Sequence, residues 1–161
     1  DRNRNPENYI GIIERLQDFT LYIVGRWRVN AEYQEFLKLL RLRKVSDQVI
    51  VEDNISESNL QNLYKMAKFS LRYGKDEYGP GMSNIESISH LTPIIVNSEL
   101  GISDVILEYG GGMVVDSWDS GAIISFIKEK NNELTYQRLQ DQLLEIARQY
   151  TWERQGKARC V

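Results

Sequence analysis

Five short apolar runs, at Leu21 to Val24, Val49 to Val51, Phe69 to Leu71, Pro93 to Val96 and Met113 to Val115, alternate along this chain with segments of helical spacing. Runs this short and continuous are the mark of strands buried on both faces. Strands alternating with helices leave few folds open, and the one they favour is an α/β layer built on a parallel sheet with right-handed crossovers. The helical segments are legible in the same way. Asn5-Pro6-Glu7 is a helix start, and Ile10, Ile12, Ile13 and Leu16 carry the helix to about Gln17. Tyr33, Phe36, Leu37 and Leu40 repeat between Ala31 and Arg43, and Ser56 caps a helix bearing Leu60, Leu63, Tyr64 and Ala67. Later come a short turn of helix at Asp104 to Tyr109, a helix capped by Asp119 or Ser120 with Ile123, Ile124, Phe126 and Ile127, and a long one from Thr135 to Tyr150.

The chain has 161 residues, the size of one domain, and its 42% hydrophobic content is enough to bury a core. A net charge of −3 gives no basic field, so nucleic acid is not expected as a partner. No apolar run approaches the ~20 residues that cross a bilayer, no signal peptide opens the chain, and the expected location is the cytoplasm. Cys160 is the only cysteine and His90 the only histidine, which argues against disulfides, zinc and Cys/His or Ser/His/Asp catalysis. His90 is expected to be structural and Cys160 an unreactive thiol.

The most informative stretch is Glu77-Tyr78-Gly79-Pro80-Gly81-Met82-Ser83-Asn84-Ile85-Glu86, a glycine loop between a strand and a helix. Its backbone can approach a ligand closely at Gly79 and Gly81. Two readings of the helix start stand side by side. Ser83, three residues before Glu86, forms a capping box worth on the order of 1 kcal/mol, with no ligand involved. Alternatively, the free N–H groups of Met82, Ser83 and Asn84 bind a phosphate, with Glu86 one turn on accepting ribose hydroxyls. A dinucleotide fingerprint is absent, because the Gly79-x-Gly81 loop lacks a third glycine and comes late in the chain. In a parallel sheet, ligands gather beyond the carboxyl ends of the strands. That places the loops after Val24, Val51, Leu71 and Val96 together, including Gly25.

Taken in order, these residues resemble the C-terminal, donor-binding domain of GT-B nucleotide-sugar glycosyltransferases, in the retaining family 4 (group 1). Leu60, Leu63, Tyr64 and Ala67 are similar to that family's L-x-x-L-Y-x-x-A helix. Gly79 to Glu86 resembles the glycine loop and second glutamate of its E-G-F-G-x-x-x-x-E signature, followed by Thr92-Pro93-Ile94-Ile95-Val96. Gly101, Asp104, Gly112 and Tyr150-Thr151-Trp152 also fall in order. The first glutamate of the signature falls on Tyr78, with Glu77 one step before it, and Leu91 replaces a glycine. The resemblance implies a Rossmann-like, doubly wound parallel sheet that binds a nucleotide diphosphate sugar for retaining hexosyl transfer. It implies Arg4 and Arg2 as the cations facing the diphosphate, Glu86 on the ribose, Asn54 and Ile55 near the base, and Glu77 or Tyr78 facing the donor sugar. Breaking a sugar–phosphate bond adds negative charge to the leaving diphosphate, which cations and N–H dipoles stabilise without a metal or other cofactor.

In that family a strand precedes the Arg/Lys loop, and in the sheet order 3-2-1-4-5-6 it is central. It has no counterpart in residues 1–161, so the expectation is a piece of a longer polypeptide, with two half-sheets facing one another. The acceptor-binding N-terminal domain, and any peripheral membrane contact, would belong to the absent part, and the piece alone would be inactive. A non-catalytic nucleotide- or partner-binding module of the same fold is the alternative, favoured by the displaced glutamate.

Overall fold

The computed structural model describes residues 5–75 and 77–149. A 3-10 turn at Pro6–Tyr9 leads into α1 (Ile10–Ile13), followed by β1 (Leu21–Val24), α2 (Asn30–Leu42), β2 (Val49–Glu52), α3 (Glu57–Met66) and β3 (Ser70–Arg72). Then come α4 (Met82–Ser89), β4 (Ile94–Asn97), α5 (Ser103–Tyr109), β5 (Gly112–Val115), α6 (Ser120–Lys130) and α7 (Glu133–Gln149). Every strand pairing is parallel, as the short continuous runs require. The expected caps are present at Ser56, whose hydroxyl accepts from the N–H of Asn59, and at Asp119, whose carboxylate accepts from Gly121 and Ala122.

The first helix is shorter than its apolar spacing predicts. Asn5 lies at φ 31° with no side-chain cap, and tight bonds from Arg15 to Ile12 and from Leu16 to Ile13 close the segment. Three isoleucines and a glycine in four residues are weak helix formers, so burial of Ile10, Ile12 and Ile13 shapes this segment more than propensity does.

β4 shows why the sheet is wound on both sides. Ile94, Ile95 and Val96 are each 0% exposed. Ile95 packs into one core with Ile10, Ile13, Phe36, Leu40 and Ile123, whereas Ile94 and Val96 pack into a second core with Ile88, Ile106, Leu143 and Ile146. A strand whose alternate residues enter two cores must be apolar throughout, which is how its sequence reads.

The strands form two sheets. β1 pairs with β2, β3 pairs with β4 and β4 with β5, and among the described residues no strand pairing joins β1 to β3. The half-sheets expected from the resemblance are therefore present as two separate sheets. Between them runs a cleft of about 1040 Å³, lined by β1 and β3 and by Gly25, Arg26, Arg28 and Ser83. α3 borders this cleft with Leu60, Leu63, Tyr64 and Ala67, and none of its residues is buried.

Candidate functional site

The site is built around the segment joining β3 to α4, and buried polar contacts fix its course. Asn97, 1% exposed at the end of β4, accepts from the N–H of Gly74 through Oδ1 at 2.9 Å and donates Nδ2 to its carbonyl at 2.7 Å. Further on, the N–H of Gly101 donates to the carbonyl of Glu77 at 2.9 Å, and Glu77 forms a parallel bridge with Leu100. A Cβ on Gly101 would lie 2.1 Å from the carbonyl oxygen of Tyr78, so only glycine lets the two loops meet this closely.

Gly81 caps α4 at φ 72°, a conformation natural to glycine, with no side-chain hydrogen bond. The capping-box reading therefore fails. Ser83 sits inside the first turn rather than at the cap, and its hydroxyl accepts from Arg72 Nη1 at 2.7 Å. Asn84 also departs from expectation: its N–H donates to the carbonyl of Gly81 at 3.1 Å, and its buried amide donates to Pro80 at 2.8 Å. Asn84 thus shapes the turn, and Met82 and Ser83 are the residues whose first-turn N–H groups are not taken up by helical bonds.

Arg72, which the sequence reading did not single out, is the centre of the arrangement. Its Nη2 donates to Glu77 Oε2 at 2.5 Å, with the two side chains 14% and 27% exposed, while Nη1 reaches Ser83. A Cβ placed on Gly81 would lie 3.5 Å from Arg72 Nε, so the guanidinium lies against the start of α4. Arg26 and Arg28, just past β1, line the same cleft. The signal for all three was in the sequence, since Arg72 ends one strand and Arg26 and Arg28 follow another in the loop at its carboxyl, ligand-binding end.

The other expected residues are distributed unevenly. Glu77 is turned inward by Arg72, whereas Tyr78 is 89% exposed. Gly25, at the end of β1, lines the cleft with Ser83. Gly79 and Met82 are exposed. Asn54 is exposed at φ 59°, and Ile55 lines a separate small recess with Glu52, Asn59, Asn62 and Leu63 rather than the main cleft. Glu86 faces Tyr64, whose phenol is pushed up to about 12, first by burial, then by the charge and hydrogen bonding of Glu86, with Arg72 opposing. His90 is structural: its ring stacks on Tyr64 at 5.7 Å, and its Nδ1 lies 2.9 Å from the carbonyl of Glu86. Arg2, Arg4, Cys160 and the Tyr150-Thr151-Trp152 ending lie outside the described residues. Among the described residues no helix is long and apolar enough to cross a membrane.

Guanidinium and free helix N–H groups converging beyond the strand ends form an arrangement suited to an anion. The family model of the glycosyl transferases, group 1, matches residues 2–149. The chain belongs to this family. Among solved structures, this group 1 domain is similar to WaaG, a glycosyltransferase involved in lipopolysaccharide biosynthesis (15% identity, TM-score 0.78, 97% of this chain and 42% of WaaG). It is also similar to a sucrose-phosphate synthase from Thermosynechococcus elongatus (21% identity, TM-score 0.78, 95% of this chain and 40% of the other). A third is Anabaena HepE, solved in complex with UDP (12% identity, TM-score 0.82, 99% of this chain and 45% of HepE). At these identities the likeness shows the fold, that of the C-terminal, Rossmann-like half of GT-B glycosyltransferases, and the domain spans less than half the length of each. No curated protein matches the chain by sequence.

Proposed function

We propose that this domain binds the nucleoside diphosphate of a nucleotide sugar across the carboxyl ends of β1 and β3, for retaining hexosyl transfer that needs no metal. The observation that carries this reading is Arg72, held against the first turn of α4 by Ser83, beside the N–H groups of Met82 and Ser83. A leaving diphosphate gains charge as the glycosidic bond breaks, and a fixed guanidinium with two N–H dipoles stabilises that charge more than it stabilises the ground state. Arg26 and Arg28 bring further positive charge to the same cleft, and Arg2 or Arg4 would add to it.

Glu86, one turn into α4, accepts the ribose hydroxyls, and Asn54 and Ile55 lie toward the base. Glu77, oriented by Arg72, faces the donor sugar, with Tyr78 at the rim. The UDP and UDP-glucose complexes of HepE support a uridine nucleotide, with guanosine the other candidate. The acceptor site belongs to polypeptide beyond this domain, and transfer requires it. The alternative of a binding module without transfer draws on Glu77, whose carboxylate is engaged by Arg72.

Calorimetric titration with UDP and GDP, with and without EDTA, tests the reading. Binding of one nucleotide, unaffected by EDTA, is the expected result. Absence of binding by both at millimolar concentration overturns the donor-site assignment. NMR of the sugar anomer formed by the full-length protein then tests retention.

A further inference from the structure

The face of α4 that carries Ser83 also carries Glu86 and, at the C-cap, His90, in the three- and four-residue steps that stack side chains along one side of a helix. Ser83 is taken by Arg72, and the other two meet a single residue of α3, Tyr64. We propose that Tyr64 is a positioning residue for Glu86, donating its hydroxyl to the carboxylate and leaving the other oxygen lone pairs to ribose, so that the site selects ribonucleotides over 2′-deoxyribonucleotides. Tyr64 acts here through Glu86, so its role rests on the reading of Glu86 as the ribose acceptor.

The backbone and the ring of Tyr64 are both fixed. The hydroxyl of Thr92, 2% exposed just before β4, donates to the Tyr64 carbonyl at 2.8 Å. The ring stacks on His90, with centroids 5.7 Å apart and planes at 25°. His90 is in turn bound to the last turn of α4, its backbone N–H donating to the Glu86 carbonyl at 3.1 Å and its Nδ1 lying 2.9 Å from the same oxygen. Tyr64 and Glu86 are therefore registered against each other by contacts that involve neither the phenol nor the carboxylate.

From this position the phenol meets the carboxylate. Burial first, then the charge and hydrogen bond of Glu86, push the phenol up to about 12, with Arg72 and Ser87 opposing, so it is a protonated donor at neutral pH. Tyr64 also lines the cleft beside Arg72 and Ser83, so one side chain borders both the ligand space and α4.

The chemistry makes such an anchor matter. A glutamate has several rotatable bonds, and a carboxylate free to turn has to be ordered by its ligand at an entropic cost. An ionised carboxylate accepts at about four lone-pair sites, of which a phenol donor occupies one. The others are left for ribose, whose 2′ and 3′ hydroxyls both donate. A 2′-deoxyribose offers only one of these donors, and a carboxylate already held in orientation does not turn to compensate.

Calorimetry on the full-length protein tests this with two ligand pairs, UDP with 2′-deoxy-UDP and GDP with 2′-deoxy-GDP. For the pair that binds, the wild type is expected to prefer the ribonucleotide about 10-fold or more, the value of one charge-assisted hydrogen bond. Tyr64→Phe keeps the ring and its stack on His90 and removes only the donor. It is expected to cut the preference to about 3-fold or less, while the 2′-deoxynucleotide binds within about 2-fold of its wild-type Kd. A wild-type preference retained in Tyr64→Phe, even with both nucleotides weakened equally, means that Tyr64 only supports the fold, and overturns the inference. Equal affinity for the two sugars in the wild type overturns it as well. Glu86→Gln separates this failure from that of the ribose assignment. If Glu86→Gln lowers the preference and Tyr64→Phe does not, the positioning role alone fails. If Glu86→Gln leaves the preference intact, Glu86 is not at the ribose and both fail. The double variant Tyr64→Phe/Glu86→Gln is expected to show the preference of Glu86→Gln alone, because the two residues act as one unit, and losses that multiply independently overturn the inference. Absence of binding by both pairs removes the donor site, and the inference with it.

Discussion

Arg72 is the residue whose replacement most directly tests the site, because it serves two separable roles. Its guanidinium pairs with Glu77 at 2.5 Å and holds Ser83 at 2.7 Å. In Arg72→Met the carboxylate of Glu77 loses its partner. An exposed pair contributes about 0–1 kcal/mol, and breaking a buried one costs about 3–5 kcal/mol. At 14% and 27% exposure this pair lies between those limits, nearer the lower, at about 1–2 kcal/mol. For a domain of this size that lowers Tm by roughly 3–6 °C. Losing a charge-assisted hydrogen bond to phosphate costs a further ~1.5–3 kcal/mol of binding, so nucleotide Kd rises roughly 10- to 100-fold. The double variant Arg72→Met/Glu77→Gln removes the unpaired carboxylate. It is expected to recover most of the Tm while leaving the affinity low, as read by calorimetry and thermal denaturation together. Affinity restored in the double variant would refute the reasoning, since Arg72 would then have acted only through Glu77.

Asn97→Ala strands the buried N–H and C=O of Gly74, and at ~1–3 kcal/mol for each unsatisfied group it is expected to destabilise the fold by roughly 2–4 kcal/mol. Urea unfolding measures this, and a loss below about 1 kcal/mol would mean that water replaces the amide. Glu86→Gln should weaken nucleotide binding by roughly 1–3 kcal/mol with little change in Tm, because Glu86 does not cap its helix. Unchanged affinity in calorimetry would remove Glu86 from the ribose site. Burial and Glu86 raise the Tyr64 phenol from 10.0 to about 12, so the folded state holds this proton more tightly. The resulting stability is present in full below pH 10 and is lost as pH rises toward 12, and Tyr64→Phe should flatten that part of the profile relative to the wild type.

The sequence by itself determined the layer order. Apolar runs such as Ile94-Ile95-Val96 can be satisfied only between two cores, and the parallel pairing and the helices on both faces follow from that requirement. It also located the loop that matters, since Gly81 reads as a turn residue and sits at φ 72°. Its account of the helix start was incomplete because capping is decided by backbone geometry. Ser83-x-x-Glu86 has the spacing of a capping box, but the cap falls two residues earlier, at Gly81, which frees Ser83 for Arg72. Only the tertiary structure shows that Glu77 and not Tyr78 turns inward, because the bridge to Leu100 and the pull of Arg72 fix the orientation of these two adjacent side chains. Arg72 itself was legible as a residue and not as a role: a basic residue at a strand end is common, and its meaning comes from Ser83, eleven residues away in sequence and brought within 2.7 Å by the crossover from β3 to α4. The separation of β1 from β3 has the same cause. Pairing depends on which edges meet in space, and no local pattern in β1 or β3 records it, so the expectation of two half-sheets came from the family resemblance rather than from either strand.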